Sequence, residues 1–360
     1  MDALAISPRS YKDAPRGNNK GRHCTFPACS GYRGIMNASR RTVQFVWLLA
    51  VIGLALAGAG AARANELIRV GKAQGIAWTF LPVDVGIAQG LFAKQGLDVE
   101  ISSLGGDAKV QQALAAGSID FGLGSGPGMA FAVKGAPAIA VAAFAGPPRN
   151  ISAIVLDDSP IKTVADLKGK LIAVSTVGSL SDWLAKQMAI QEGWGQNGIR
   201  AVPLGAAETS MAALRAKRID AIVLATEMGF GLEEHKQGRV LVTMDRYAPH
   251  FITHVVFAQK SLVADKPGVV RRFLDAFFAS IAFMEAHRSE TSAVAERVLH
   301  QSESVVHKDY DSEIGMFVDD GRFDPQAVAV LKQSFVDMGT LKQKPADSAM
   351  FTTQFLPIKP

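Results

Sequence analysis

Gly105–Ser125 reads GGDAKVQQALAAGSIDFGLGS, and one hundred positions on Gly205–Ala225 reads GAAETSMAALRAKRIDAIVLA. Without a gap, Gly105, Ala113, Leu114, Ala116, Ile119 and Asp120 fall on Gly205, Ala213, Leu214, Ala216, Ile219 and Asp220. Each segment holds a helical pattern, a turn and an apolar run of strand length. Identities among alanine-rich helices do not settle the matter alone, so the flanks carry weight. LIRVGKAQG (67–75) and KLIAVSTVG (170–178) are both strands entering glycine-bearing loops. Helical stretches follow at 81–95 and 181–193, then extended ones at 97–104 and 199–204. Strand–helix–strand–helix–strand thus occurs twice, the mark of two α/β units of one design. Two such units leave a cleft, and open α/β sheets bind ligands beyond the carboxyl ends of their strands.

The net charge of +5 over 360 residues invites a nucleic-acid reading, which its distribution removes. Nine of the 38 Lys and Arg lie in residues 1–64 against Asp2 and Asp13, leaving 29 basic and 31 acidic residues in 65–360. A slightly acidic domain has no electrostatic footprint for a phosphate backbone. Within 36–64, Arg40 and Arg41 precede the apolar Val43–Leu56, and Ala62-Arg63-Ala64 is an A-x-A site, so a signal peptide cleaved after Ala64 is expected. An uncleaved anchor is the alternative. Ser39–Val43 is a weak twin-arginine match, and the export route stays open. Met36 is a conventional start, which would leave the polar stretch 1–35 as an upstream extension. Both cysteines, Cys24 and Cys29, lie there, and with His23 they fall short of a zinc ligand set. The remainder has no thiol for a disulfide or a nucleophile.

Along 65–360, Pro82 fits a helix start, Val83, Ile87, Leu91 and Phe92 share a helical face, and Asp107 is a candidate cap for the next helix. Ala138–Phe144 is a continuous apolar run of buried-strand type. Gly146-Pro147-Pro148-Arg149 then breaks the chain at a first crossover, and Phe251–Ala258 is the candidate return. Pro267–His287 is an amphipathic helix with Val270, Phe273, Leu274, Phe277, Ile281 and Met284 inward. One further helix is legible in the tail, from the cap Asp324 to about Met338.

Together these segments resemble the periplasmic solute-binding proteins of ABC importers, of the nitrate/sulfonate/taurine type that also includes binders of thiamine-precursor pyrimidines. The likeness is carried by Gly86–Phe92 with Gly96–Val99, by Ala116–Gly122, by Asp166–Lys170 and by Arg218–Ala221. It implies a type II binding-protein fold, two similar doubly wound α/β lobes joined by two crossover segments, with C-terminal helices. The expected organisation is 1–35 extension, 36–64 signal peptide, 65–148 first part of lobe 1, 149–253 lobe 2, and 254–360 the return to lobe 1 with the tail helices. It further implies a monomeric periplasmic protein that is not an enzyme, handing a small polar or anionic solute to a membrane permease and its ATPase. The solute would be a sulfonate, nitrate, a taurine-like molecule or an aromatic carboxylate. A pyrimidine binder, or an enzyme of the same fold such as a pyrimidine synthase, is the alternative. No cofactor or metal is implied.

The resemblance places ligand contacts in strand-end loops. These are Gly75, Ile76 and Trp78; Ser125, Gly126 and Pro127; Thr176, Gly178, Ser179 and Ser181; and Glu227, with Arg149 at the crossover. The loop 176–182 is taken as the second-lobe counterpart of 125–127. Each residue also has a plainer reading. Hydroxyls and free N–H groups at a helix start suit an anion, and equally a plain N-cap. Trp78 stacks on a flat ligand or packs the lobe, and Glu227 holds an amine or is solvated. None of these loops contains Lys or Arg. Asp120 and Asp220 resemble an acid–base pair, but they sit at strand starts far from the cleft, where anchoring of the turn and helix is expected. His250 and His254 lack a third metal ligand.

Overall fold

The computed structural model describes residues 65–75, 77–205 and 207–359, and the signal, the leader cysteines and Ile76 lie outside that set. Ten strands run in chain order: β1 Glu66–Lys72, β2 Leu97–Ser103, β3 Phe121–Ser125, β4 Ala138–Ala145, β5 Ile151–Leu156, β6 Leu171–Val174, β7 Arg200–Pro203, β8 Ala221–Ala225, β9 Gly238–Thr243 and β10 His254–Gln259. They form two five-stranded sheets, ordered β2-β1-β3-β10-β4 and β7-β6-β8-β5-β9. In the first, β1 is parallel to β2 and β3, while β10 is antiparallel to β3 and β4. In the second, β6 is parallel to β7 and β8, while β5 is antiparallel to β8 and β9. The fourth strand of each sheet is therefore the one the chain enters on arriving from the other lobe.

The one-hundred-residue repeat is a repeat of hydrogen bonds. Asp120 accepts from the Arg69 N–H at 2.8 Å, and Asp220 from the Leu171 N–H at the same distance. Their own N–H groups return to the carbonyls of those same residues, both at 2.8 Å. Each aspartate thus ties the foot of a third strand to the foot of a first, which is anchoring and not acid–base chemistry. The helix ends also correspond: Ser118 donates to the Ala113 carbonyl and Arg218 to that of Ala213, each at 3.0 Å. Gly117 (φ 69°) has Lys217 (φ 54°) as its counterpart. The left-handed turn is kept in lobe 2 with a side chain on it, at a small conformational cost.

Three local expectations need correction. The helix anticipated over 81–95 is two pieces, Leu81–Ala88 and Leu91–Lys94, because Gly90 turns left-handed between them. Asp107 is not a cap: Gly106 precedes the helix, and the Asp107 carboxylate instead takes the Ser125 N–H (2.8 Å) and hydroxyl (2.5 Å). The tail holds two further helices, Arg288–Leu299 and Glu303–Glu313, besides Pro325–Asp337.

The core of the first lobe forms where Pro267–Ala286 lies on the sheet. All six inward positions expected on this helix are buried. Phe273 stacks on Phe121 at 3.9 Å and Phe277 meets Phe144 at 5.2 Å. Each fully buried phenylalanine stabilises the fold by about 1.5–3 kcal/mol relative to an exposed one.

Candidate functional site

The chain crosses between the sheets at 146–150 and again at 244–253. Thr226 ties the start of its helix to the first crossing, donating its N–H to the Asn150 carbonyl and its hydroxyl to that of Arg149. His254, entering β10 from the second crossing, meets Asn150 Nδ2 through Nε2 at 3.1 Å. Burial holds this imidazole neutral down to about pH 4, between the rings of Phe80 (4.9 Å) and Phe144 (5.7 Å). Arg149, the basic residue expected near the site, is drawn to Asp245 at 3.4 Å.

Two tail helices each span a pair of strand-end loops from the two lobes. Helix 303–313 packs on the turn Trp78–Phe80 after β1 and on the helix Thr226–Glu234 after β8. Lys308 bonds Glu233 at 2.7 Å and Ser302 bonds Glu234 at 2.5 Å across that second contact. Helix 325–337 packs on Gly126–Gly128 after β3. Its far end reaches the first turn of the helix Leu180–Gln191 after β6, where Asp337 accepts from the Trp183 indole at 3.2 Å. The strand topology makes β8 the partner of β3, so the true counterpart of 125–127 is 225–227, and 176–182 answers to 73–79.

Within these loops the residues marked from sequence have definite roles. Trp78 is fully buried, stacked on Phe317 at 5.6 Å and edge-on to Tyr310 at 6.1 Å. Gly75 lies against Ser103, whose hydroxyl stands 2.7 Å from where a Cβ would be. The Ser125 hydroxyl binds Asp107 and accepts from the Gly128 N–H at 3.2 Å. Pro127 opens the short helical turn beside it. At Gly126, expected to touch a ligand, the space is taken by the chain itself: a Cβ there would sit 1.9 Å from the Ile252 carbonyl oxygen.

The loop after β6 is built as a cap. Ser179 accepts from the Asp182 N–H at 3.3 Å, and Ser181 accepts from the Ser175 N–H at 3.0 Å. Gly178 (φ 74°) gives its N–H to Asp182 at 2.8 Å, and Thr176 stays exposed. The double substitution Ser179→Ala with Ser181→Ala is expected to cost about 2 kcal/mol, one lost cap and one orphaned buried N–H. A thermal melt reads that cost. Solute affinity of the same variant, if unchanged, would leave the two hydroxyls a structural role alone.

The carboxylates are what the sequence reading missed. Glu227 is joined by Asp309 and Glu313, both with no exposed surface. Burial pushes Glu227 up to about 7; burial first, then the charge of the neighbouring acids, pushes Asp309 to about 9 and Glu313 well above its usual range. A signal for them exists. Val305, Val306, Asp309, Tyr310 and Glu313 form the buried stripe of helix 303–313, so two acids occupy core positions of an amphipathic pattern. No group of His, Cys, Asp and Glu among the described residues is arranged to hold a metal ion. No helix among the described residues is long and apolar enough to cross a membrane.

Two α/β lobes with paired strand-end loops define the fold class of the two-lobed periplasmic-binding-protein type, and comparison with known proteins gives the family. Residues 78–291 match the model of the NMT1/THI5-like family, and the chain belongs to it. A protein of Brucella abortus, provisionally named a binding protein, is 26% identical over 213 residues, 59% of this chain and 65% of the relative. A protein of Haemophilus influenzae, provisionally named for thiamine biosynthesis, is 28% identical over 207 residues, 56% of this chain and 64% of the relative. This chain thus spans about 65% of the length of the relatives it matches. The periplasmic aliphatic sulphonate-binding protein SsuA from Escherichia coli superposes with a TM-score of 0.68 at 20% identity, over 80% of this chain and 92% of that one. That likeness shows the fold. The same fold also carries an enzyme, the desulfurization protein DSZB, with a TM-score of 0.61 at 15% identity, over 81% of this chain and 97% of that one.

Proposed function

We propose that the chain is the extracytoplasmic solute-binding component of an ABC importer, closing its two lobes on a small polar solute and presenting it to a permease. The carrying observation is that strand-end loops of both lobes converge through two shared helices. A solute touching both lobes shifts the open–closed balance only by binding one state better. Delivery to the periplasm by a signal cleaved after Ala64, a monomeric state, and lobes divided at 65–148, 149–253 and 254–360 belong to the same reading. The absence of cysteine after residue 29 supports binding over thiol chemistry.

The solute is the open element of this reading. A sulfonate, nitrate, taurine-like molecule or aromatic carboxylate would find hydroxyls and N–H groups already engaged in capping, with Arg149 committed to Asp245. A thiamine-precursor pyrimidine is the second reading, favoured by carboxyl groups that could meet ring nitrogens and by the Haemophilus relative. Calorimetry of the purified chain against sulfonates, nitrate, taurine, aromatic carboxylates and pyrimidines tests the proposal. Stoichiometric binding without turnover is expected; turnover of any of them in place of binding would overturn it.

A further inference from the structure

Asp309 and Glu313 stand one helical turn apart, and all four of their side-chain oxygens lack a hydrogen-bond partner. Glu227 faces them from the other lobe and raises both through its charge. Acids gathered in this way do not make a site unaided. A second observation comes from the turn after β1. Trp78 touches Tyr310, next to Asp309 on helix 303–313, and Phe317 just beyond its end, so the indole packs where that helix meets the turn 78–80. Its Nε1–H is buried without a partner, and so is the Thr79 hydroxyl beside it. The turn 78–80 thus carries buried donors without a partner, and the helix packed on it carries buried acceptors without one.

The cations packed around this spot are engaged elsewhere. On helix 226–234, Glu233 holds Lys308 at 2.7 Å. On helix 288–299, Arg288 bonds Asp311 at 2.8 Å, its guanidinium 5.3 Å from the Tyr310 ring centroid. At the first crossing Arg149 is paired with Asp245, and on the acids' own helix His307 lies 4.0 Å from the exposed Glu303. The turn 78–80 contributes no charge. A buried carboxylate without a cation is costly, and in a low-dielectric setting it binds a cation strongly when one arrives.

We propose that Glu227, Asp309 and Glu313, walled by Trp78 and Tyr310, form a cation subsite of the interlobe site. It takes the protonated nitrogen of a small solute: an ammonium, amidinium or guanidinium group. The assignment rests on the solute-binding reading and names the solute's charge. Glu227 comes from lobe 2 and the other two acids from the tail helix that packs on both lobes, so a bound cation ties that shared helix to the second lobe.

The test is calorimetry on the full chain at pH 7 with putrescine, agmatine and benzamidine, against methanesulfonate and benzoate. At least one cation is expected to bind and to release about one proton, seen as a heat that changes between phosphate and Tris buffers. Its affinity should rise up to about tenfold per pH unit where one proton is displaced. Asp309→Asn and Glu313→Gln should each weaken it at least tenfold, while Glu303→Gln on the exposed face leaves it unchanged. Thermal melts confirm that the variants fold. Silence of all three cations, or equal binding by the two variants, overturns the subsite. Binding of methanesulfonate or benzoate with the cations silent also overturns it, but leaves the solute-binding reading standing.

Discussion

Gly126→Ala is expected to lose about 3 kcal/mol or more of stability, or to leave the chain insoluble. The new Cβ would lie 1.9 Å from the Ile252 carbonyl oxygen and 3.4 Å from the Ile252 Cγ2. Overpacking commonly costs about 1–3 kcal/mol, and the upper end applies when backbone must move. Relief here is hard, because the Gly126 N–H also bonds the Thr253 carbonyl at 2.8 Å, fixing the two segments against each other. Thr253 is held in turn by the Gly146 carbonyl, which accepts its hydroxyl. The two crossings and the β3 loop therefore move as one piece. Gly231→Ala is the control: nothing lies within 4 Å of its Cβ position, and it sits inside helix 226–234. That substitution should stabilise by about 0.5–1 kcal/mol. Denaturant melts of both variants check the pair, and a Gly126→Ala midpoint equal to wild type would refute the close contact.

From pH 6.5 to about 9 the ligand-free chain is expected to lose stability, and Asp309→Asn should abolish much of that loss. The unfolded chain ionises its carboxyl groups near pH 4. The folded chain keeps Glu227 protonated to about 7 and Asp309 to about 9, with Glu313 also raised. Across this window the folded state holds more protons than the unfolded one, so stability falls as pH rises. His254 acts in the opposite sense and elsewhere: its imidazole is lowered to about 4 from 6.5, which costs stability only as pH falls below 6.5. Asp309→Asn should therefore gain about 2 kcal/mol at pH 8.5 and little at pH 5. For a domain of this size that is roughly 4–8 °C in Tm. Melts of wild type and variant at the two pH values decide the point. An Asn variant less stable than wild type at pH 8.5 would mean that the carboxylate is satisfied in a way the geometry does not contain.

The structural reading of the sequence succeeded where the information was local. The apolar stripe of 267–286 depends on helical period alone, whereas Asp120 and Asp220 turned out to anchor strands 51 and 49 residues away rather than the adjoining turn and helix. The helix broken at Gly90 was missed because one left-handed glycine leaves the apolar spacing almost intact. Helix 303–313 was missed for the opposite reason: Asp309 and Glu313 sit in its buried stripe and weaken the hydrophobic pattern that marks a helix. Gly126 was expected to touch a ligand, and the sequence gives no sign that Ile252 lies against it.

The sequence alone determined the two-lobed repeat, the succession of strands and helices along each half and the exclusion of thiol chemistry. Those follow from periodicity, from the recurrence of one pattern a hundred residues on and from composition. Only the tertiary structure decided which strand-end loops meet, that Ile252 fills the space at Gly126, and that Glu227 faces two acids more than eighty residues away. A carboxyl group's charge depends on its surroundings in space. Burial and neighbours far along the chain set it, and no local pattern around Glu227 encodes them.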